Sequence, residues 1–192
     1  MFLEWINIES VDEKVTDSFS SGNELFDEFL KVHARRWQDC GEAATYIIAD
    51  AQEVTNNKVE YVYGYVTLNT TGLLKRFEEG SVVQYLPCVE IRMFAIDRSL
   101  RKHGDPYVNY SDIIFNLVLM NLWAMSVHMI GFKGIFLNAN HEGERLYRNA
   151  GFEDVTEFVA PTEEDKIDIK GTTPMLLMIN DEFIDKVFSP IE

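Results

Sequence analysis

The chain has 192 residues and a net formal charge of -15, from 32 acidic and 17 basic side chains. At roughly 150 residues per domain this length predicts a single domain, 1–192, and a content of 46% hydrophobic and 26% charged residues excludes disordered and fibrous proteins. The acidic balance argues against a nucleic-acid partner, which would need a positive surface for phosphate, and suits a cationic partner such as an amine. With only Cys40 and Cys88 and no signal-peptide pattern in the first residues, we expect a cytoplasmic protein with both thiols free.

Hydrophobic periodicity and turn residues predict three helices and six strands. The first helix begins at a capping box formed by Ser21 and Glu24 and ends at Gly41. The second is long and apolar and ends at Gly131, and the third is short and is capped by Gly151. The predicted strands are 45–49, 59–68, 89–96, 133–137, 152–158 and 173–179.

The first two strands are predicted to form a hairpin around a turn at Asn56 and Asn57, and Thr70–Gly72 is expected to end the second of them. Gly64 inside this strand indicates a bulge or a close approach of another backbone. After the hairpin, the order strand, long helix, strand, short helix, strand predicts some parallel pairing. The fold class is therefore α/β or α+β, with a single mixed central sheet flanked by helices.

The long helix raises the question of a membrane span. From Ile113 to Ile130 the chain carries no Asp, Glu, Lys or Arg, which approaches the ~20 apolar residues that cross a bilayer. Asn116, Asn121, Ser126 and His128 interrupt the run, and each would be costly in lipid. We therefore predict a core helix that is buried on most sides, with no membrane span.

One segment after the fourth strand carries a motif. It reads Asn140-His141-Glu142-Gly143-Glu144-Arg145-Leu146-Tyr147-Arg148-Asn149-Ala150-Gly151-Phe152. It resembles a signature of the GNAT superfamily of N-acetyltransferases, in which an Asn, a small residue three positions later and an aliphatic-Tyr pair precede a Gly-Phe that begins a strand. Residues 90–97 resemble the central strand of that family, and 19–68 resemble the first helix and hairpin of one branch. The resemblance implies a GNAT-like fold with splayed central parallel strands and acetyl-CoA as cosubstrate.

Two side chains are the candidate catalytic residues. Glu90 is the only carboxylate in its strand, and burial would raise its pKa toward neutrality, which suits a general base acting directly or through water. A strand carboxylate that faces solvent or pairs with Arg92 is the alternative. Tyr147 could donate its phenolic proton to the departing thiolate, although a tyrosine packed in the core would produce the same pattern.

The resemblance also implies which residues hold acetyl-CoA. The pantetheine arm would add like a strand beside the central one, through the backbone of Met93, Phe94, Ala95 and Ile96, with the amide of Met93 or Phe94 polarising the thioester carbonyl. Asn140 is a helix N-cap, a contact to the pantetheine, or both.

The expected phosphate loop departs from the family pattern in its second half. The first half is matched by Arg101, Lys102, His103 and Gly104, whose charges and amides could face the pyrophosphate. Asp105 and Pro106 then break the pattern, because proline has no N–H to donate and an aspartate repels phosphate. Either the loop is remodelled, or it binds weakly, or the basic run is a solvated turn.

The sequence thus predicts an acetyl-CoA-dependent N-acetyltransferase that acts on a small cationic amine or a protein amine by direct attack in a ternary complex. One alternative is a non-catalytic acyl-CoA-binding or interaction domain. A less favoured one is a toxin-type enzyme that acetylates aminoacyl-tRNA, against which the charge speaks. The histidines and cysteines lack metal-ligand spacing, so no metal is predicted. The oligomeric state stays open, with a homodimer included.

Overall fold

The computed structural model describes residues 2–76, 83–100, 109–156 and 171–188. Its strands are β1 (Leu3–Asn7), β2 (Ala44–Asp50), β3 (Gly64–Arg76), β4 (Val83–Ile96), β5 (Gly134–Ala139), β6 (Glu153–Asp154) and β7 (Thr173–Met178). Its α-helices are α1 (Glu13–Asp17), α2 (Glu24–Glu28), α3 (Ala34–Asp39), α4 (Ala51–Thr55), α5 (Tyr110–His128), α6 (Glu144–Ala150) and α7 (Asp181–Phe188). The strands form one mixed sheet in the order β1-β2-β3-β4-β5-β7-β6, which confirms the predicted fold class.

The chain divides into two compact units, one made of Met1–Asn69 with Arg92–Val118 and the other of Thr70–Ile91 with Leu119–Glu192. The boundaries fall inside β3, β4 and α5, so each of these elements contributes residues to both units. The prediction of one domain over 1–192 stays a prediction.

The first unit is built on an antiparallel sheet of β1, β2 and the start of β3. The antiparallel pairing of β2 with β3 is confirmed, but α4 lies in the connection between them. Strand β3 begins at Gly64 rather than at residue 59 and continues through 70–72 to Arg76. In the β2–β3 register Ile47 lies opposite Tyr65, and both are fully buried. The Tyr65 hydroxyl donates to the Phe26 carbonyl at 2.8 Å, and the Tyr65 ring meets Phe19 edge-on at 5.5 Å. Aromatic packing and one internal hydrogen bond therefore join the helical layer to the sheet.

The predicted first helix is present but is not regular. It begins at Glu24, where the Asn23 side chain accepts from the Leu25 amide, so Asn23 and not Ser21 is the N-cap. Its middle turn, Phe29–His33, is π-helical, and α3 continues from Ala34. Gly41, with φ +73°, follows the helix end as predicted.

Gly64 lies where two backbones approach closely, which confirms the close-approach interpretation. A Cβ at this position would lie 2.8 Å from the Ala95 carbonyl oxygen, a distance that real Cβ atoms do not tolerate. We expect Gly64→Ala to destabilise the protein by about 1–3 kcal/mol, because a backbone carbonyl cannot move aside as a side chain can. Urea unfolding measures this change, and an unaltered midpoint would contradict it.

The second unit contains the parallel pair predicted from the strand order. β4 and β5 pair in parallel from Cys88–Gly134 to Ile91–Leu137, while β7 runs antiparallel to both β5 and β6. Cys88 is buried beside Phe136, and burial raises the pKa of its thiol to about 11, so it remains protonated. Of the predicted strand 152–158 only β6 is present among the described residues, which end there at 156.

Helix α5 differs from the prediction of a helix buried on most sides. Its buried residues form one stripe, made of Ile114, Phe115, Val118, Leu119 and Leu122. Apolar residues on the other side are exposed, among them Ile113 and Met120 at 40% and Val127 at 57%. Among the described helices only α5 is long and apolar enough to cross a membrane, a criterion that core helices also meet.

Candidate active site

The segment after β5 folds as the motif requires. The Asn140 side chain accepts from the Gly143 amide at 2.8 Å, and its carbonyl accepts from Glu144 at 3.0 Å, so Asn140 caps the first turn that leads into α6. Gly151 ends α6 with φ +100°, and Phe152 behind it is buried. Asn140 thus caps the turn before α6, whereas the N-cap residue of α6 itself is Gly143, and the contact of Asn140 to pantetheine stays a prediction.

Gly143 occupies the small-residue position of the motif for a steric reason. A Cβ there would lie 2.8 Å from Cε2 of the Tyr147 ring and 3.1 Å from Oδ1 of Asn140. The Tyr147 ring therefore lies directly against the backbone of the turn, and a glycine allows this contact. Residues 140, 143 and 147 form one packed group at the start of α6.

Tyr147 presents a protonated phenol at this turn. Its ring lies 6.0 Å from that of Phe152, centroid to centroid, and burial raises its pKa well above the ordinary value of 10. The hydroxyl is consequently neutral at physiological pH and can donate a proton. The role of catalytic acid stays a prediction.

Glu90 lies in β4, in register with Phe136 of β5, and only 7% of it is exposed. The alternative of a carboxylate facing solvent is therefore excluded. Side chains alternate along a strand, so Glu90 shares the sheet face of Cys88 and Phe136. A buried carboxylate on this face can act as a base only through a neighbouring group or water, and that role stays a prediction.

The last residues of β4 direct alternate backbone groups to its two edges. The Asp97 amide donates to the Tyr63 carbonyl at 2.9 Å, and the Ala95 carbonyl faces Gly64 of β3. By alternation, the amides and carbonyls of Phe94 and Ile96 point to the other edge of the strand. The register with β5 ends at Ile91, and β4 continues from Arg92 to Ile96, as the predicted divergence of the two parallel strands requires.

The end of β4 is held by a hydrogen-bonded carboxylate. Asp97 is buried and accepts from the Ser99 amide at 2.8 Å, and the Ser99 hydroxyl lies 2.8 Å from that of Tyr61. Burial alone would raise the pKa of Asp97, but hydrogen bonds from Ser99 and Tyr61 outweigh it and hold the pKa below 3.8. The charged form is thus the one that stabilises the folded state.

We expect Asp97→Asn to lower the free energy of unfolding by about 1–3 kcal/mol at neutral pH, because an amide accepts these hydrogen bonds less strongly. A lowered carboxyl pKa stabilises the fold fully above the unfolded value and loses this effect as the pH falls through the folded value. The difference between variant and wild type should therefore shrink as the pH falls below about 3.9, the ordinary value of the carboxyl pKa. Urea unfolding at neutral pH and at a series of acidic pH values measures it, and a loss that does not depend on pH would count against the network.

The predicted phosphate loop, Arg101, Lys102, His103 and Gly104 together with Asp105 and Pro106, lies outside the described residues.

The structure adds features that the sequence interpretation missed. The Arg92 guanidinium lies over the Trp37 ring, 5.7 Å from its centroid, and α3 carries this tryptophan just after the π-helical turn. An open groove of about 620 Å³ lies along α2 and is lined by Ser20, Gly22, Glu24, Asp27, Glu28, Lys31, Val32 and Arg98. The pairing of Trp37 with a cation from a strand has no local sequence signal. No group of three potential metal ligands occurs among residues 2–76, 83–100, 109–156 and 171–188.

Several known structures share the fold of this chain along nearly its whole length. A bacterial toxin superposes with a TM-score of 0.72 and 17% sequence identity, covering 100% of this chain and 98% of its own. The toxin AtaT in complex with acetyl-methionyl-tRNAfMet gives 0.67 and 20%, covering 97% and 99%. A complex of KacTA with DNA gives 0.63 and 22%, covering 97% and 98%. No family model matches the chain, and neither does a curated protein.

AtaT and KacT are GNAT-fold acetyltransferases, so the chain has the GNAT fold that the motif implied. A mutant of AtaT has also been solved with acetyl-CoA and the C-terminus of the antitoxin AtaR.

The prediction of a small or protein amine as partner, with nucleic acid disfavoured by the acidic charge, is wrong. Proteins with this fold have been solved with tRNA and with DNA. A net charge is a sum over the chain and does not show where positive residues lie. In this sequence four of the 17 basic residues fall between Arg92 and Lys102, with Asp97 as the one acidic residue among them.

Proposed function

We propose that the chain is an acetyl-CoA-dependent N-acetyltransferase of the toxin type, which acetylates the amino group of an aminoacyl-tRNA in the cytoplasm. The observation that carries this proposal is the likeness over 97% of the chain to AtaT, solved with acetyl-methionyl-tRNAfMet. The packed group of Asn140, Gly143 and Tyr147 supports it independently, since this turn brings a neutral phenol to the motif position expected of the acid.

In the proposed reaction the free amine of the acceptor attacks the thioester carbonyl, forming a C–N bond and then breaking the C–S bond. Glu90, through a water or a neighbouring group, takes the proton that the amine loses, and Tyr147 gives its proton to the departing thiolate. Acid–base assistance of this kind contributes about 10²–10⁴-fold to rate. No covalent enzyme intermediate is required.

The residues at the end of β4 fit the cosubstrate. Phe94 and Ile96 direct backbone donors and acceptors to the edge away from β3, and an extended amide-bearing arm can pair with such an edge as an added strand. The amide of Met93 or Phe94 would stabilise the developing oxyanion. The basic residues between Arg92 and Lys102 supply positive charge for cosubstrate or RNA phosphates.

Labelled acetyl-CoA and purified protein test the proposal against three acceptors: bulk aminoacyl-tRNA, the same tRNA after deacylation, and a mixture of polyamines and lysine peptides. We expect label in the RNase-sensitive fraction with charged tRNA only, and its loss in Tyr147→Phe. Label on polyamines or peptides alone would overturn the substrate assignment. Acetyl-CoA binding without transfer to any acceptor would overturn the activity.

A further inference from the structure

A half-buried carboxylate of α2 organises the loop that precedes this helix. Asp27 accepts hydrogen bonds from the amide and the hydroxyl of Ser21, both at 2.6 Å, and from the Ser20 hydroxyl at 3.1 Å. Burial alone would raise the pKa of Asp27, but these hydrogen bonds and the nearby Lys31 outweigh burial and lower the pKa below its ordinary value. Asp27 is therefore charged at neutral pH and holds both serines in place. The proposed reaction does not use this carboxylate.

The same loop contacts the chain directly after β4. The Ser20 carbonyl accepts from the Arg98 amide at 2.9 Å, and a Cβ at Gly22 would lie 3.8 Å from Cβ of Arg98, an ordinary van der Waals distance. The hydrogen-bond network of Asp97, one residue earlier, fixes this segment from the side of β3. The backbone of Arg98 is therefore held from two directions, and one of them leads through Ser20 to Asp27.

The Arg98 side chain is exposed although its backbone is fixed. Arg98 and Lys31 are the two cations that line the groove along α2, which Glu24 and Glu28 line as well. Among the residues that the structure describes, no carboxylate forms an ion pair with Arg98. Because the backbone and Cβ have little freedom left to lose, this arginine is preorganised to bind an anion.

Arg98 lies at the distance expected for the far end of the cosubstrate. The thioester carbonyl is proposed to lie at the amide of Met93 or Phe94, and Arg98 follows these residues by five and four positions. At the rise of an extended chain this is about 13–17 Å. An extended pantetheine arm that pairs along the edge of Phe94 and Ile96 covers a similar distance before it reaches the pyrophosphate. A guanidinium binds phosphate oxygens through two parallel hydrogen bonds.

We propose that Asp27 is a positioning residue for the cosubstrate: through Ser20 it fixes Arg98, and the Arg98 guanidinium binds a phosphate group of acetyl-CoA. Asp27 touches no reacting atom, since Ser20 and Ser21 engage both of its oxygens. It therefore acts on the affinity for acetyl-CoA and not on the chemical step. The proposal rests on the proposed function only in the use of acetyl-CoA and does not depend on the acceptor.

Equilibrium binding of acetyl-CoA to the full chain tests this proposal without any acceptor. We expect Asp27→Asn and Arg98→Gln each to raise the dissociation constant about 10-fold or more. The two substitutions together should weaken binding no more than Arg98→Gln alone, because both act on one contact. Binding of S-acetyl-pantetheine, which has the same arm without phosphate, should not change. Between about 0.05 and 0.5 M salt the loss for acetyl-CoA should shrink, because salt screens the contact.

Asp50→Asn is the matched control. The Asp50 side chain also accepts from a backbone amide, that of Gln52 at 2.9 Å, where it caps α4. This variant loses the same kind of hydrogen bond away from Arg98, so its affinity for acetyl-CoA should equal that of wild type. If Asp27→Asn does not fold, Ser20→Ala removes only the 3.1 Å bond to Asp27 and should raise the dissociation constant about threefold.

Four results would each overturn the proposal. They are an unchanged acetyl-CoA affinity in Arg98→Gln, an equal loss for S-acetyl-pantetheine, full additivity of Asp27→Asn with Arg98→Gln, and an effect confined to the KM of aminoacyl-tRNA. The last result would assign Arg98 to RNA phosphates instead. A failure of the proposed activity gives a different outcome: the acetyl-CoA affinities change as expected, but no acceptor is acetylated.

Discussion

Tyr147→Phe is expected to lower the turnover of acetyl transfer about 100-fold or more, the usual contribution of a general acid. The substitution removes only the hydroxyl and keeps the ring that packs on Gly143 and Phe152. Fold and acetyl-CoA affinity should therefore stay within about twofold of wild type. Single-turnover transfer and calorimetric binding of acetyl-CoA separate the two quantities. A fall in affinity with unchanged turnover would contradict the acid role.

Tyr65→Phe is the matched control for this experiment. Tyr65 is a fully buried tyrosine, and its hydroxyl donates to the Phe26 carbonyl at 2.8 Å. Losing that hydrogen bond removes one of the two donors of the Phe26 carbonyl, which also accepts from the Phe29 amide, and should cost about 1 kcal/mol in unfolding free energy. Turnover should hardly change, because the Tyr65 hydroxyl has a structural partner. If both variants lost turnover equally, a general loss of stability would explain the result.

The parts of the fold that sequence predicted well are those set by local rules. Gly41 and Gly151 follow helix ends because each adopts a positive φ, and the antiparallel pairing of β2 with β3 follows from two apolar runs with a turn between them. Strand β1 was not predicted, although Leu3 and Trp5 alternate with polar Glu4, because so short an alternation becomes a strand only through its pairing with a distant strand, β2. The stacking of Trp5 on Tyr46 at 4.3 Å shows the tertiary contact that this alternation provides.

Errors arose where a local pattern depends on distant partners. Thr70–Gly72 was taken as the end of a strand, yet β3 continues because the Tyr85 ring of β4 lies directly over Gly72. Helix α5 was expected to be buried on most sides because it is apolar all round, but sequence does not reveal how much surface the rest of the chain can cover. Only one side of α5 is therefore buried, and apolar side chains on its other side stay exposed.

In the candidate site, too, local features could be predicted from sequence, whereas features that depend on distant residues could not. Asn140 and Tyr147 are seven residues apart, about two helical turns, so the contacts among Asn140, Gly143 and Tyr147 are local, and the motif recognised in the sequence contains all three residues. The direction of the backbone groups of Phe94 and Ile96 could not be predicted, because it depends on how β4 pairs with β3. The hydrogen bond from the Asp97 amide to the Tyr63 carbonyl defines that pairing. Net charge failed as an indicator of partner because recognition depends on local charge.

Gly143→Ala is expected to reduce turnover about 10- to 100-fold, more than a single methyl normally costs at the start of a helix. The new Cβ would lie 2.8 Å from the Tyr147 ring and 3.1 Å from the Asn140 Oδ1. The ring is the more movable neighbour, so it should swing away and carry its hydroxyl about 1 Å or more from the thiolate, a displacement sufficient for such a loss. Gly131→Ala is the matched control, since nothing lies within 4 Å of a Cβ there, and its turnover should equal that of wild type.

A double-mutant cycle then decides whether Gly143 acts through Tyr147. If the alanine works by moving the phenol, Gly143→Ala should have little further effect on turnover in a Tyr147→Phe background, because the proton donor is already absent. Fully multiplicative losses would mean that Gly143 serves another purpose, such as the geometry of the Asn140 cap. Unfolding free energy provides a second measurement. A cap defect should lower it by about 1 kcal/mol in both backgrounds. If Gly143→Ala only displaces the ring, turnover in the Tyr147→Phe background should stay at the level of Tyr147→Phe alone.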